Sequence, residues 1–291
     1  MTVFEGIILG VLQGIAEFLP ISSSGHLRLV QNLMGLEEIP LLFDVFLHLA
    51  TLCAVILYFR REIWNLLCAF GKLFVSKKNF TQEKLEKQKS DSSYILAIIL
   101  ATIITGVIGL FTSKLLDSNK ISIKIICAGF IITAVLLILS SLIEKKHLSK
   151  SQKNSSAKEI QAQREKSVPI KWWQSLIIGF AQGIGTLPGI SRSGSTIAGA
   201  LFCGVNRQNV GEFSFIVSIP AILGAFILEL KDLAEVSSSI GAAPIIAGCA
   251  AAAASGYIAL TWLMKLIKKG RLEWFAAYLI PLGILGMIFL K

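Results

Sequence analysis

Residues 10–26 read GVLQGIAEFLPISSSGH, and residues 179–195 read GFAQGIGTLPGISRSGS. Aligned without a gap, Gly10, Gln13, Gly14, Ile15, Ile21, Ser22, Ser24 and Gly25 recur as Gly179, Gln182, Gly183, Ile184, Ile190, Ser191, Ser193 and Gly194. Each copy breaks a hydrophobic segment with proline, glycine and serine, then adds ionisable residues. Broken apolar segments at matching places in two halves of a chain are the sequence mark of a shared site within a bilayer. The repeat points to a site before it points to a fold.

The rest of the chain suits that setting. Hydrophobic residues make up 54% of it and charged residues only 16%, with a mean hydropathy of +0.71. A soluble domain carries about a quarter charged residues. Apolar runs at 41–59, 94–113, 121–143, 213–230, 240–264 and 274–290 approach the roughly 20 residues that cross a hydrocarbon core. The expectation is an all-α polytopic membrane protein. Its first residues, Met1 to Glu5, lack the basic region and small-residue cleavage site of a signal peptide.

The net charge of +10 gathers in residues 60–61, 72–89, 145–171 and 265–271. Basic loops between apolar runs mark the cytoplasmic side and contacts with anionic membrane lipids, and no motif argues for nucleic acid. The five cysteines are scattered and lie almost wholly within apolar runs, as small hydrophobes do.

Charge also sets the topology. Segments 76–93 and 144–171 are too polar to cross and belong inside; the second carries eight basic and three acidic residues and reads as a mobile cytoplasmic loop. Runs 94–113 and 121–143 then join them through an outer turn at 114–120, and 41–59 runs inward to Arg60-Arg61. Residues 1–35 must start and end outside, as a re-entrant hairpin. By the same logic residues 173–207 enter and return on the inner side, followed by crossings at 213–230, 240–264 and 274–290. The chain thus reads as an inverted-topology repeat, residues 1–143 and 172–291, with about six transmembrane helices and two re-entrant helical hairpins. A rival count of eight spans threads each hairpin straight through. It would expose Glu17 or the serine cluster to lipid, where irregular backbone is not tolerated.

The first hairpin places Gln13 and Glu17 four apart, on one helix face. Pro20 ends that helix, and Ser22, Ser23, Ser24 and Gly25 supply hydroxyls and loose backbone before His26 and Arg28. Ionisable residues at membrane depth are costly and mark function. The plainer alternative is that Glu17 pairs with Arg28 or Arg192 to hold the fold. In the second hairpin, Gly189, Ser191, Arg192, Ser193, Gly194 and Thr196 set an arginine among hydroxyls and glycines. Unpaired amides at the following helix start attract anions, and a guanidinium fork suits phosphate oxygens. A small-residue packing motif is the competing reading, and a buried arginine fits it poorly. Together the halves offer one carboxylate, an amide, a histidine, hydroxyls and an arginine. Such a set suits phosphoryl transfer assisted by a divalent metal, which a single carboxylate and the substrate's own phosphates can hold. Asp44 and His48 form a further pair on one helix face. They either line the site or, on the simpler reading, are satisfied polar residues of the core.

Gln13-x-x-x-Glu17, the Ser-Ser-Ser-Gly-His stretch ending at His26, and PGISRSGST at 188–196 resemble the undecaprenyl-diphosphate phosphatases of the bacitracin-resistance type. The stretch GVNRQNVGEFSFIVSIPA at 204–221 extends the resemblance over nearly the whole chain. It implies an integral enzyme of the bacterial plasma membrane, its site open to the outer face, that converts undecaprenyl diphosphate to the monophosphate carrier of cell-wall synthesis. It also implies a divalent metal, Mg²⁺ or Ca²⁺, on Glu17 and Gln13. Ser23 and His26 would serve the transfer step, and Arg192 with Ser191, Ser193 and Thr196 would hold the phosphates, beside Ser22, Ser24, Gly189 and Gly194. Many members carry Glu at the place of Gln13; the family pattern allows Gln, but metal binding should be weaker here or its pH dependence shifted. Three nucleophiles stay open: Ser23 activated by His26, His26 itself, or a metal-bound water. A transporter or flippase of an anionic lipid is the alternative function, since inverted repeats with converging helix starts also carry substrates. The small residues of Gly248–Gly256 could pack within one protomer or form a homodimer.

Overall fold

The computed structural model describes residues 1–36, 39, 41–72, 82–115, 121–154, 170–230 and 240–290. Among them the chain forms eleven helices and no strand. The first half holds α1 (Val3–Phe18), α2 (Ser23–Leu33), α3 (Leu41–Tyr58), α4 (Arg60–Lys72), α5 (Gln82–Leu115) and α6 (Ile123–Asn154). The second holds α7 (Trp172–Ile184), α8 (Arg192–Phe202), α9 (Arg207–Glu229), α10 (Ala242–Lys269) and α11 (Glu273–Phe289).

Local chemistry sets the hairpin helices. Thr2 and Glu5 cap each other's amides at the start of α1. The helix stops at Leu19, whose extended backbone is what the following Pro20 demands. Ser22 opens α2 by accepting from the Gly25 amide, and its repeat partner Ser191 opens α8 by accepting from the Gly194 amide. The same Ser-x-x-Gly cap thus starts the second arm of both hairpins. With 16, 11, 13 and 11 residues, the four arms rise at most roughly 24 Å at about 1.5 Å per residue, short of a hydrocarbon core.

Stretches Ser90–Thr112, Ile123–Lys146, Asn209–Leu228 and Ala242–Lys269 are long and apolar enough to cross a membrane and overlap the apolar runs at 94–113, 121–143, 213–230 and 240–264. A fifth, α3, meets α4 at an 82° bend, and α11 is apolar but only 17 residues long. On α5, Leu96, Ile99, Ile103, Val107 and Leu110 form an exposed apolar stripe, the lipid-facing pattern of a buried-in-bilayer helix.

Two boundaries differ from expectation. Arg60-Arg61 begin α4 instead of a loop, and α4 exposes both arginines together with Trp64, Leu67 and Phe70. That mixture is typical of a helix lying along a membrane surface. The expected loop at 144–171 is helical through Asn154. No glycine or proline interrupts residues 130–168, and the Lys, Glu, Leu and Gln of 144–154 are good helix formers. Residues 155–169 of that loop, most of the 114–120 turn and part of 76–93 lie outside the described residues.

The halves pack by exchange. Hairpin helix α1 of the first half lies on α10 of the second, while α7 of the second lies on α5 of the first. The pairs α3–α10 and α9–α5 repeat the reciprocity, and α6–α11 and α3–α9 join equivalent helices. Glycines permit the closest approaches. A methyl group on Gly10 would sit 2.1 Å from the Gly248 carbonyl oxygen, and one on Gly179 would sit 2.6 Å from that of Ala101. The small residues around Gly248 therefore pack within the protomer, against Gly6, Gly10 and Gly14. Backbones this close are the usual means of joining helices in lipid, where no hydrophobic effect drives association.

Candidate active site

The tips of the hairpins meet. The Ser193 hydroxyl donates to the Leu19 carbonyl at 3.2 Å, and a methyl group on Gly194 would touch Pro20. Both loops rest on α6. The Ser191 amide donates to Thr133 Oγ1 at 2.9 Å, and Gly25 abuts the Phe130 ring and Gly189. At Gly189 the backbone is left-handed, φ +83°, and a Cβ would stand 2.1 Å from the Ile126 carbonyl oxygen. Only glycine fits there.

Glu17 is the centre of the junction. Its Oε1 pairs with the Arg192 guanidinium of the other hairpin. Its Oε2 accepts from Ser23 Oγ at 2.6 Å and from Gln13 Nε2 at 2.9 Å, and lies 3.4 Å from His48 Nε2. The carboxylate is 5% exposed and Gln13 wholly buried. A buried carboxylate persists only when paired and hydrogen-bonded, and four side chains from four helices supply this. Arg192 is thus paired as the plainer sequence reading allowed, and the pairing spans the two halves.

Other expected residues stand apart from Glu17. His26 uses both ring nitrogens: Nδ1 donates to the Ser22 carbonyl at 2.8 Å, so Nε2 is left to accept from the Tyr278 hydroxyl, also at 2.8 Å. Its ring lies against Phe130 and stacks on Tyr278. Ser23 and His26 therefore do not form a hydrogen-bonded pair; the partner of Ser23 is Glu17. Ser22 and Ser191 cap helices, Ser191 and Ser193 share a hydrogen bond of 3.2 Å, and the Thr196 hydroxyl donates to the Arg192 carbonyl at 2.6 Å. Ser24 is exposed at the second position of α2.

His48, on the simpler reading a core residue, faces the site. Asp44 does not; its Oδ1 accepts from Gln31 Nε2 at 2.8 Å. Tyr278 gives no signal in the sequence, because its neighbours from Trp274 to Leu290 are otherwise apolar.

Among the described residues no three His, Cys, Asp or Glu side chains cluster as a metal cage. A cation here would draw part of its coordination from a substrate's oxygens. Gln13 fits such a role: its Oε1 is buried without a partner, a costly state for an amide oxygen that a bound cation would relieve.

Fold and site define a class: an all-α polytopic membrane protein with a carboxylate-centred polar junction assembled by two hairpins from opposite halves. The profile of the family described as bacitracin resistance protein BacA matches residues 6–285, and the chain belongs to that family. It is 45% identical over 284 residues to an undecaprenyl-diphosphatase of Treponema denticola, covering 98% of this chain and 96% of that protein. An undecaprenyl-diphosphatase of Alkaliphilus metalliredigens is 37% identical over 291 residues, covering 99% of each. One from Methanobrevibacter smithii is 37% identical, covering 98% of this chain and 96% of its own.

Proposed function

We propose that this protein removes the terminal phosphate of undecaprenyl diphosphate, returning the monophosphate carrier to cell-wall synthesis and conferring bacitracin resistance. The observation that carries the reading is Glu17, held between Arg192 of one hairpin and Ser23 of the other. Family membership and the three relatives support the same activity.

The chain's own residues divide the work. A diphosphate replaces Glu17 as the partner of Arg192, since a guanidinium fork matches phosphate at least as well as carboxylate. Free amides in the first turns of α2 and α8 add donors at the positive helix ends. Glu17, released, takes the Ser23 proton across their 2.6 Å contact. Ser23 Oγ bonds to the terminal phosphorus while the bridging oxygen bond breaks and undecaprenyl phosphate leaves. Water then attacks the same phosphorus, Ser23 Oγ departs with the proton from Glu17, and inorganic phosphate is freed. His26, fixed by Ser22 and Tyr278, keeps its acceptor nitrogen at the mouth of α2. Bound by Glu17 and Gln13, Mg²⁺ or Ca²⁺ would neutralise diphosphate charge.

In the same reading the halves are inverted repeats in the bacterial plasma membrane, with the pocket open to the outer face. The short hairpin arms and the reciprocal packing support the inverted repeat. A homodimer would use a face other than the Gly248 stripe, which α1 already covers.

Purified protein incubated with a prenyl diphosphate should release phosphate with divalent metal and not with chelator. Ser23→Ala should lower kcat by about 10²–10⁴-fold with substrate binding kept. Binding without any metal-dependent release would overturn the reading in favour of transport.

A further inference from the structure

We infer that His48 is a third protein ligand of the divalent cation, completing a site with Glu17 and Gln13, and that its nitrogen shifts the site's preference towards Mn²⁺ or Co²⁺. The inference rests on the metal-assisted reading above and deepens it.

The argument starts from an oddity of hydrogen bonding. His48 Nδ1 lies 2.7 Å from the Asp44 carbonyl oxygen. A carbonyl only accepts, so Nδ1 carries the hydrogen. In the neutral ring the other nitrogen then presents a lone pair. That nitrogen, Nε2, points at Glu17 Oε2 from 3.4 Å, and a carboxylate oxygen also only accepts. The approach of Nε2 to Oε2 is satisfied either by a proton on the imidazole or by a cation held between the two atoms. A histidine whose Nδ1–H is pinned by a backbone carbonyl while Nε2 faces a carboxylate has the arrangement of a metal ligand, in which the outer hydrogen bond fixes tautomer and ring direction.

A second, independent feature lies on the same carboxylate oxygen. Gln13 is wholly buried, its Nε2 sits 2.9 Å from Glu17 Oε2, and its Oε1 has no partner. Turning the amide end for end brings the orphaned oxygen to the place of the nitrogen. Ligands on adjacent corners of an octahedron are separated by √2 times the bond length, roughly 2.8–3.7 Å for bonds of about 2.0–2.6 Å. The separations of 2.9 and 3.4 Å about Oε2 fall within that range. Arg192 occupies the other oxygen, Oε1, and the Ser23 hydroxyl shares Oε2, donating to it at 2.6 Å.

The donor set decides the metal class. Carboxylate and amide oxygens suit Mg²⁺, Ca²⁺ and Mn²⁺, whereas an imidazole favours later transition ions. One nitrogen among oxygens points to Mn²⁺ or Co²⁺ above Ca²⁺.

The test is Mn²⁺ titration of the purified protein, with free Mn²⁺ read by electron paramagnetic resonance. It is run with and without methylenediphosphonate, a diphosphate that cannot be hydrolysed. Wild type should bind Mn²⁺, and His48→Ala should weaken it about tenfold or more while helicity and elution volume are retained. His48→Gln, which offers an oxygen, should recover Mg²⁺ competition but not the Mn²⁺ preference. Equal Mn²⁺ affinity in His48→Ala and wild type would overturn the inference and make His48 an ion-pair partner of Glu17, leaving the metal on Glu17 and Gln13 standing. No Mn²⁺ occupancy in wild type under either condition would overturn both this inference and the metal-assisted part of the function. Phosphate release measured on the same sample shows whether the hydrolase reading survives.

Discussion

The two hairpins have the same frame and opposite chemistry. Gln13 and Gln182, Ser22 and Ser191, Gly25 and Gly194 coincide in the repeat, and both serines cap the helix that follows. Where the first hairpin has Glu17, Ser23 and His26, the second has Thr186, Arg192 and Ser195. Even the shared glutamine diverges: Gln13 serves the carboxylate, whereas Gln182 Nε2 donates to Thr105 Oγ1 at 3.1 Å and ties α7 to α5. One arm brings the anion, hydroxyl and imidazole; the other brings the cation. A duplicated scaffold thus closes on a single asymmetric site instead of two equal ones, because a carboxylate buried at such a junction needs a counter-charge and not a second carboxylate.

The comparison can be broken most severely at that pair. Glu17→Gln and Arg192→Ala should each lower phosphate release by about 10³-fold or more. The double variant should be little worse than either, since each single change leaves a buried charge uncompensated. Independent, multiplying losses in the four rates would show that the two hairpins do not act as a unit. The frame comes next. Gly10→Val and Gly179→Val should each cost about 1–3 kcal/mol or more by overpacking, seen as a lower unfolding midpoint in detergent. Gly106→Ala, where a Cβ meets nothing within 4 Å, should not lower it. Smaller still, Tyr278→Phe keeps the ring stack on His26 but loses the hydroxyl. It should reduce kcat about three- to tenfold, the worth of roughly 1 kcal/mol of hydrogen bonding, with KM unmoved. Least of all, Thr186→Glu, which restores the first hairpin's carboxylate to an exposed position of the second, should change turnover by less than about twofold.

What the sequence made legible follows from distance along the chain. Glu17, Gln13, Ser23 and Arg192 could be read because the repeat marks both loops, and ionisable residues within them have no cheaper explanation in lipid. His48 reads from the sequence more simply as a core residue. Its partner Asp44 suggested a closed pair, and only the packing of α3 beside α1 shows that Nε2 is turned to Glu17. Tyr278 reaches His26 across 252 residues, from a helix whose residues after Glu273 are otherwise apolar. The pairing of Ser23 with His26 looked natural from a spacing of three. At the start of α2, however, that spacing sends the imidazole back to the Ser22 carbonyl, while Ser23 falls towards Glu17. The 82° turn between α3 and α4 has no proline or glycine to announce it. Basic residues were read as a loop because charge reports which side of a membrane a segment is on, not whether it is helical.

The exchanged packing of α1 on α10 also sets an order of events during biosynthesis. Ser255 donates its hydroxyl to the Val11 carbonyl across 244 residues of chain. At about 5–20 residues per second of translation, α1 leaves the ribosome roughly 12–50 s before its docking surface does. During that interval the glycine-lined face of α1, with Glu17 at its far end, has neither a groove to fill nor Arg192 to neutralise it. The first helix made must therefore be among the last to settle, and the pocket can exist only once the final third of the chain has been inserted.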